Sequence, residues 1–461
     1  MNLCSDFFTT KDQQQEESRM DMKKVIIELL GIQDVIIEDI KKFRKDLRLE
    51  VKIRQKKSEC FCYKCGLQFK TVKEWNLKNL KAPPMGVYQN VQLKFMQMRG
   101  FCEDCNCSSV ARVDWIHTKF ESLTCGFAEV AGRLMEEITC QAVSRILKCD
   151  SKLMWELDQH RMAVMMQYLK LPEDLDTSYL AADEVHFRTV DIKHRPSLFS
   201  KRRAPEFVTN LVAPKNGKVL FNAMGRGSES LVSAMSILST GRKLAVENFA
   251  VDMHEAFITI IKKECPNAKI CVDRFHLAQK VNEAFDLVRR SEFKLAQKNK
   301  DIFSEGMLEP HRRFILVSRT KDLSKPELKI LEKLRAINRP IHTAMVLVEC
   351  FHKALDQKKI NLFRRALKTW YIIVRESKLK PFLKLANTIR KYRKNIEAYI
   401  ESRLTTAVAE GLNNKIKVLK RMGYGYSNST SFCRKILQRC GYLNHRSINT
   451  DQFFFKWPNP A

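Results

Sequence analysis

Apolar and polar positions alternate in distinct regimes along the chain. Residues 24–56 carry the apolar-rich runs VIIELLGI and VIIEDIKKF, then LRLEVKIR, whose strict alternation predicts a half-exposed strand. A second strand pattern, VQLKFMQMRGF, lies inside a cysteine-bearing stretch over 57–112. Residues 120–170 have few glycines and no proline until Pro172, and read as helical. From Tyr179 to Cys271 the apolar runs shorten to YLAADEVHF, EFVTNLVAP, KVLFNAM, LAVENFAVD and AKICVD, with SESLVSAMSILST and HEAFITIIKKE as intervening helices. Three strands, helix, strand, helix, strand predicts a mixed sheet in an α/β layer. From about 275 to 400 the pattern is helical and very basic, as in LVRRSEFKLAQKNK, NLFRRALKTW and TIRKYRKNIEAY. One more amphipathic helix follows in TTAVAEGLNNKIKVLKR: Val408, Leu412, Ile416 and Leu419 share an apolar face, and Glu410, Asn414, Lys417 and Arg421 share another. The first twenty or so residues are expected to be disordered and the tail from 442 irregular.

Composition narrows the partners. A chain of 461 residues accommodates roughly two to four domains, and 44% hydrophobic residues suffice for a sizeable core. Lys and Arg total 82 against 52 for Asp and Glu, a net charge of +30 spread over much of the chain. Such a field attracts a polyanion, and nucleic acid is the expected partner. A membrane is disfavoured by the lack of a lipidation motif or a long apolar run. The polar, mixed-charge N-terminus resembles neither a signal nor a transit peptide, so a reducing cytoplasm is expected. The 15 cysteines are then thiols or metal ligands.

Three constellations carry candidate chemistry. Cys62 and Cys65 in CYKCG, with Cys102 and Cys105 in CEDC, form two paired knuckles suited to tetrahedral Zn²⁺. Gly66 suits the left-handed turn after one of them, and Cys60 and Cys107 lie close enough in sequence to leave the ligand set open. CQAVSRIL, KCDS and KLMWELDQHR read as helix, turn, helix, with Ser151 as N-cap, a form that a DNA-reading unit shares with ordinary helical hairpins. Asp183 ends the apolar part of YLAADE, Asp252 ends LAVENFAVD, and Glu410 sits alone among cations on the late helix. Buried strand-end acids are costly unless paired or metal-bound. Three such carboxylates can hold two Mg²⁺ ions about 3.5–4 Å apart for in-line phosphoryl transfer. Glu184, Asp273 in CVDRFH and Glu401 are rivals, and His254 and His276 could orient an acid.

With these pieces assembled, the chain resembles the ISL3-type insertion-sequence transposases of the DDE group. The likeness runs from about residue 24 to 441 through GIQDVIIEDI, the two cysteine pairs, AADEVHFR, FAVDMHEAF, PNAKICVDRFHLAQKVNEAFDLVRR and EGLNNKIKVLKRMGYGYSN. Two stretches depart from the family pattern: DIKHRPSLFSKRRAPE is longer than the usual hairpin, and TTAVA stands where a Gly-Pro turn is common. The resemblance implies a multidomain α/β protein. After a disordered lead (1–23) would come an α/β lead-in with a zinc-ribbon (24–115) and a helix-turn-helix region (116–175). A ribonuclease-H-like catalytic core (176–280) would follow, then a basic helical insertion (281–400), the final catalytic helix region (401–441) and a tail (442–461). It implies Asp183, Asp252 and Glu410 as catalytic ligands of Mg²⁺ or Mn²⁺, Zn²⁺ in the ribbon, and recognition of inverted-repeat ends. Lys415, Lys417, Lys420 and Arg421 would then hold phosphates near the cut. Arg289 and Arg290, with Arg364, Arg365, Arg390 and Lys391, would touch DNA more remotely. The expected reaction is cleavage and strand transfer of double-stranded DNA during transposition, by a homo-oligomer on DNA. A zinc-dependent, non-catalytic DNA-binding regulator and a structure-selective nuclease are the alternatives.

Overall fold

The computed structural model describes residues 22–191, 203–301, 338–444, Arg446 and isolated positions between 304 and 333. Residues 1–21 of the expected disordered lead, most of the tail and residues 192–202 of the long DIKHRPSLFSKRR segment lie outside the described residues, whereas residues 22 and 23, expected to belong to the lead, are helical. The chain forms two compact units, one built mainly from residues up to Lys170 and the other from Leu171–Arg421 and Gly425–Gly441.

The first unit opens with helix α1 over residues 22–29. Strands β1 (Val35–Phe43), β2 (Arg48–Gln55), β3 (Thr71–Ala82), β4 (Asn90–Cys102) and β5 (Cys107–Val110) follow. The sheet order is β1-β2-β4-β3, with β5 also on β4. The β2–β4 pair is parallel, and the others are antiparallel. Alternation read from the sequence becomes burial: Leu49, Val51 and Ile53 of β2 and Val91, Leu93 and Phe95 of β4 form one core. Helices α2 (Cys125–Glu137), α3 (Cys140–Ile146) and α4 (Ser151–Gln167) come next. Thr124, Thr139 and Asp150 cap them through side-chain oxygens. The cap of α4 is therefore Asp150, not Ser151. Its carboxylate accepts from Leu153 N at 2.9 Å, and Ser151 is already helical. Arg161 lies buried against Glu136, with Nη1 to Oε1 at 2.5 Å. It passes so close to α2 that a Cβ on Gly132 would stand 2.4 Å from its Cδ, so a side chain there would push Arg161 off its ion pair with Glu136.

The second unit holds β6 (Tyr179–Asp191), β7 (Arg203–Ala213), β8 (Lys218–Met224), α5 (Ser228–Met235), α6 (Thr240–Leu244), β9 (Asn248–Val251), α7 (Glu255–Glu264) and β10 (Lys269–Val272). The sheet order is β10-β9-β6-β7-β8. Strands β6 to β8 form an antiparallel meander, while β9 and β10 run parallel to β6. The mixed sheet expected from the sequence is present, and its central strand β6 is longer than the apolar run suggested. After YLAADE the chain alternates buried Val185 and Phe187 with exposed His186, which keeps it in the ladder to Asp191.

Helices α8 (Arg274–Asn299), α9 (Arg339–Leu355), α10 (Ile360–Ser377), α11 (Lys380–Lys391) and α12 (Arg393–Ser402) pack around Phe285, Phe351, Phe363, Trp370 and Phe382. This core continues into Cys271 and Val272 of β10, which joins the bundle to the sheet edge. Arg403 ends α12 in the left-handed conformation (φ 56°), and its guanidinium caps carbonyls at the end of α9. The chain then enters α13 (Ala407–Met422) and α14 (Ser429–Cys440). No helix among the described residues is long and apolar enough to cross a membrane.

One buried histidine makes the first unit acid-sensitive. His117 is fully buried, and its Nδ1 accepts the backbone N–H groups of Lys119 and Phe120, each at 3.1 Å. Burial, helped by the charges of His160 and Lys119, lowers its pKa to about 4. The unfolded chain takes up this proton near pH 6.5, before the folded one does. The stability that the neutral ring contributes is therefore intact above about pH 6.5 and lost as pH falls toward 4, an effect of ~3 kcal/mol. Unfolding midpoints of the full chain should fall over that window, and His117→Asn, which keeps an acceptor, should flatten the dependence.

Candidate functional site

Strand ends gather the acids. The parallel register of β6 on β9 ends with Ala181 beside Ala250, so Asp183 and Asp252 stand next to each other where the two chains continue. Asp252 is the first residue after β9, and Asp273 is the first after β10. Glu410 comes from the first turn of α13, where the positive end of the helix dipole favours a carboxylate. Asp183 thus lies within β6 and marks the end only of its parallel pairing, a correction to its reading as a strand terminus. The ligand atoms of Asp273, His276 and Glu410 lie within 4.8 Å of one another, the closest-knit set among the described acids here. His276 Nδ1 is also 3.6 Å from Asp252 Oδ1, so it links Asp273 and Glu410 to the acid at the end of β9.

The acids feel one another. Burial raises the Asp183 pKa, and the charge of Asp252 adds to it. Glu184 is pushed up to about 7 by burial and by the charge of Asp183, against the pull of Arg226 at 3.7 Å. Glu410 is raised by burial, then by the charges of Asp273 and Asp183. Glu184 Oε1 and Glu410 Oε1 are buried with no hydrogen-bond partner among the described residues. Hard oxygen donors crowded this way fit a divalent cation such as Mg²⁺. Two polar contacts hold the cluster. Asn413 Nδ2 donates to Asp183 Oδ2 at 2.8 Å, and the Thr406 hydroxyl donates to Asp273 Oδ2 at 2.7 Å.

The cysteine pairs also converge. The sulfurs of Cys62, Cys65, Cys102 and Cys105 lie within 4.8 Å of one another, with Cys65 and Cys102 at 3.4 Å. One knuckle lies between β2 and β3, and the other between β4 and β5. Gly66 follows the first with φ 75°, as expected, and Asn106 takes the corresponding left-handed place after the second with φ 45°. The backbone N–H of Cys65, the Ser109 hydroxyl and the N–H of Lys64 lower the Cys62 thiol to about 6. Cys60 lies outside the cluster, buried and bonded to the Lys56 carbonyl, and burial raises it to about 11. Cys107 pairs opposite Cys102 in the β4–β5 ladder and is also outside the cluster.

Comparison with known proteins places this architecture. The profile of a family described as transposase, of the ISL3-type DDE group, matches residues 198–436. The chain belongs to the ISL3-type transposases. The transposase for insertion sequence element IS1001 of Bordetella parapertussis is 26% identical over 376 residues, covering 81% of this chain and 87% of its own length. The transposase for IS1557 of Mycobacterium tuberculosis (strain CDC 1551 / Oshkosh) is 22% identical over 245 residues, covering 49% of this chain and 55% of its own. The chain is thus a DNA-processing transposase.

The transposase does not present all the cations expected to face DNA. Arg289 is buried at 3% exposure, paired with Asp286 at 2.8 Å and donating to the Leu308 carbonyl. It braces the helical bundle and cannot reach a phosphate. Its neighbour Arg290 is exposed beside Asp286. Arg364 is bound by both oxygens of Glu397, and Lys391 by Glu255, whereas Arg365 and Arg390 are exposed. On α13, Lys417 and Arg421 are exposed, Lys415 reaches the Arg439 carbonyl, and Lys420 reaches that of His186. Glu401 forms a surface pair with Lys269 and is not among the acids of the site. The inward asparagine of α13 is Asn413. Asn414, assigned to the Glu410 face from sequence, is exposed. A signal for Asn413 existed in its place three residues after Glu410, one helical turn along the same side. Asp273 was visible only as the end of a short apolar run. Thr406→Val should leave the buried Asp273 carboxylate without its hydroxyl donor and lower unfolding stability by about 1.5–3 kcal/mol in urea titrations.

Proposed function

We propose that the second unit is a ribonuclease-H-like catalytic core in which Asp183, Asp252 and Glu410 bind Mg²⁺ or Mn²⁺ and cut the ends of an insertion sequence. The observation that carries this reading is the convergence of acids from adjacent parallel strand ends with Glu410 of α13. Burial raises the pKa of Asp183 and of Glu410, the charge of Asp252 adds to the first and those of Asp273 and Asp183 to the second, and Glu410 Oε1 is buried without a hydrogen-bond partner among the described residues. When bound, the divalent ions would supply Lewis-acid stabilisation of charge building on the phosphorus oxygens. The protein's part is positioning. A water molecule attacks the phosphodiester at the element end; an O–P bond forms, the P–O3′ bond breaks, and a 3′-hydroxyl and a 5′-phosphate result. That 3′-hydroxyl then attacks a phosphodiester of target DNA, again exchanging one P–O bond for another. In-line geometry and a preorganised charge field do most of the work, with no covalent enzyme intermediate. Exposed Lys417 and Arg421, with Lys420 and Lys415, line the helix that carries Glu410 and suit the flanking phosphates.

In the first unit, the four clustered sulfurs fit Zn²⁺, whose tetrahedral thiolate sites need this donor set. A zinc-ribbon beside the α3–α4 helix-turn-helix would read the inverted repeats, with exposed Lys152 and Trp155 at the start of α4 as its outward face. Two ends must be cut together, so the active species on DNA is a homo-oligomer. A second reading of the acid site rests on the tight Asp273–His276–Glu410 trio, which would hold one cation by itself. Loss of cutting in Asp273→Asn with Asp252→Asn left active would favour it.

Asp183→Asn, Asp252→Asn and Glu410→Gln should each reduce Mg²⁺-dependent cutting of end-containing DNA on the order of 10³-fold or more while DNA binding persists. Equal cutting by wild type and Asp183→Asn would point instead to a non-catalytic DNA-binding protein. Cutting that ignores the end sequence and joins no strands would point to a nuclease.

The cysteine centre has a separable readout. Cys62→Ser with Cys65→Ser should release Zn²⁺, measured by metal analysis, and erase the footprint on element ends while leaving nonspecific, salt-sensitive DNA affinity. An unaltered footprint would remove the first unit from end recognition.

A further inference from the structure

Asp183 is held by a buried chain of amides that the reaction as described does not use. Its Oδ1 accepts the N–H of Glu184 at 2.8 Å, and its Oδ2 accepts Asn413 Nδ2 at 2.8 Å. The same nitrogen lies 3.4 Å from the Glu184 carbonyl. Both partners can only accept, so the nitrogen of Asn413 must face them and its oxygen must face away. That oxygen meets Asn210 Nδ2 at 3.2 Å. Asn210 is on β7, directly opposite Asp183 in the β6–β7 register. Asn210 is 1% exposed and Asn413 is 6% exposed. Burying two amides is unfavourable unless their hydrogen bonds are used, and packing alone would be better served by leucine.

Asn413 also follows Glu410 by three residues on α13, so the bond to Asp183 clamps the helix that delivers the third acid. We infer that Asn413, held in one orientation by Asn210, is a positioning residue that aims the Asp183 carboxylate and sets its separation from Glu410, and thereby the affinity of the site for divalent cations. The inference rests on the metal reading proposed above. Partners of this kind, one bond removed from a ligand, commonly govern metal affinity.

The test titrates Mn²⁺ into the full chain without DNA, read by electron paramagnetic resonance, for wild type, Asn413→Leu, Asn210→Val and Asp183→Asn. Circular dichroism and unfolding midpoints check the fold. Asn413→Leu should weaken Mn²⁺ binding about tenfold or more. Asn210→Val, which frees the Asn413 amide to turn but keeps it in place, should weaken it measurably and by a smaller factor than Asn413→Leu does. In cutting assays, Asn413→Leu should need more metal for half-maximal rate and approach the wild-type rate at saturation. Wild-type Mn²⁺ affinity in both asparagine variants, with weakened binding in Asp183→Asn, would overturn the inference and leave the metal site standing. Unchanged binding in Asp183→Asn as well would overturn the metal reading itself. If Asn413→Leu fails to fold, Asn210→Val decides.

Discussion

Like charges held close together at the ends of strands and a helix are the constraint on which this second unit depends. Asp183, Glu184, Asp252, Asp273 and Glu410 stand near one another at the ends of strands and a helix, and burial removes much of the water that would separate their fields. Each is restrained by something specific. Asn413 and a backbone N–H hold Asp183, Arg226 faces Glu184, and His276 stands by Asp252. Thr406 donates to Asp273 through both its hydroxyl and its N–H. The N-terminal turn of α13 favours Glu410. The fold thus keeps an unfavourable charge arrangement in a fixed geometry, which is the condition for tight capture of a small, highly charged cation.

The layout was largely legible in the sequence because the relevant signals are local. The strand KVLFNAM and the pattern VIIEDIKKF coincide with β8 and β1, and the order of strands and helices in the second unit follows the apolar runs. The cysteine pairs announced their own convergence, since each knuckle is a short turn with a left-handed residue after it. Three other features were not legible. The length of β6 depends on an antiparallel partner, β7, that holds the chain after its apolar run ends. The burial of Arg289 depends on Asp286 and the Leu308 carbonyl meeting its guanidinium inside the bundle, so a basic run in the sequence did not distinguish a brace from a DNA contact. The part played by Asn413 depends on partners far away in the chain, Asp183 and Asn210, so its helical spacing marked the inward side but not what it meets there.

The cysteine module shows the same separation of local and long-range information. Spacing alone left Cys60 and Cys107 as possible ligands. In the fold, Cys60 lies ahead of the turn that lifts Cys62 and Cys65, and Cys107 is drawn into the β4–β5 ladder opposite Cys102. Backbone direction, not sequence proximity, divides the ligands from the bystanders.

The Asp273–Thr406 bond joins residues 133 positions apart. It closes an excursion that leaves the sheet at the start of α8 and returns just before α13. The start and finish of that excursion coincide, so its interior can lengthen, shrink or be rebuilt at modest entropic cost, since closing a loop depends only weakly on its size. The helical bundle is therefore an excursion in the topological sense: its two ends meet at this bond and its core is continuous with β10, so helices away from that edge can be rebuilt while the carboxylate beyond the bond stays in register.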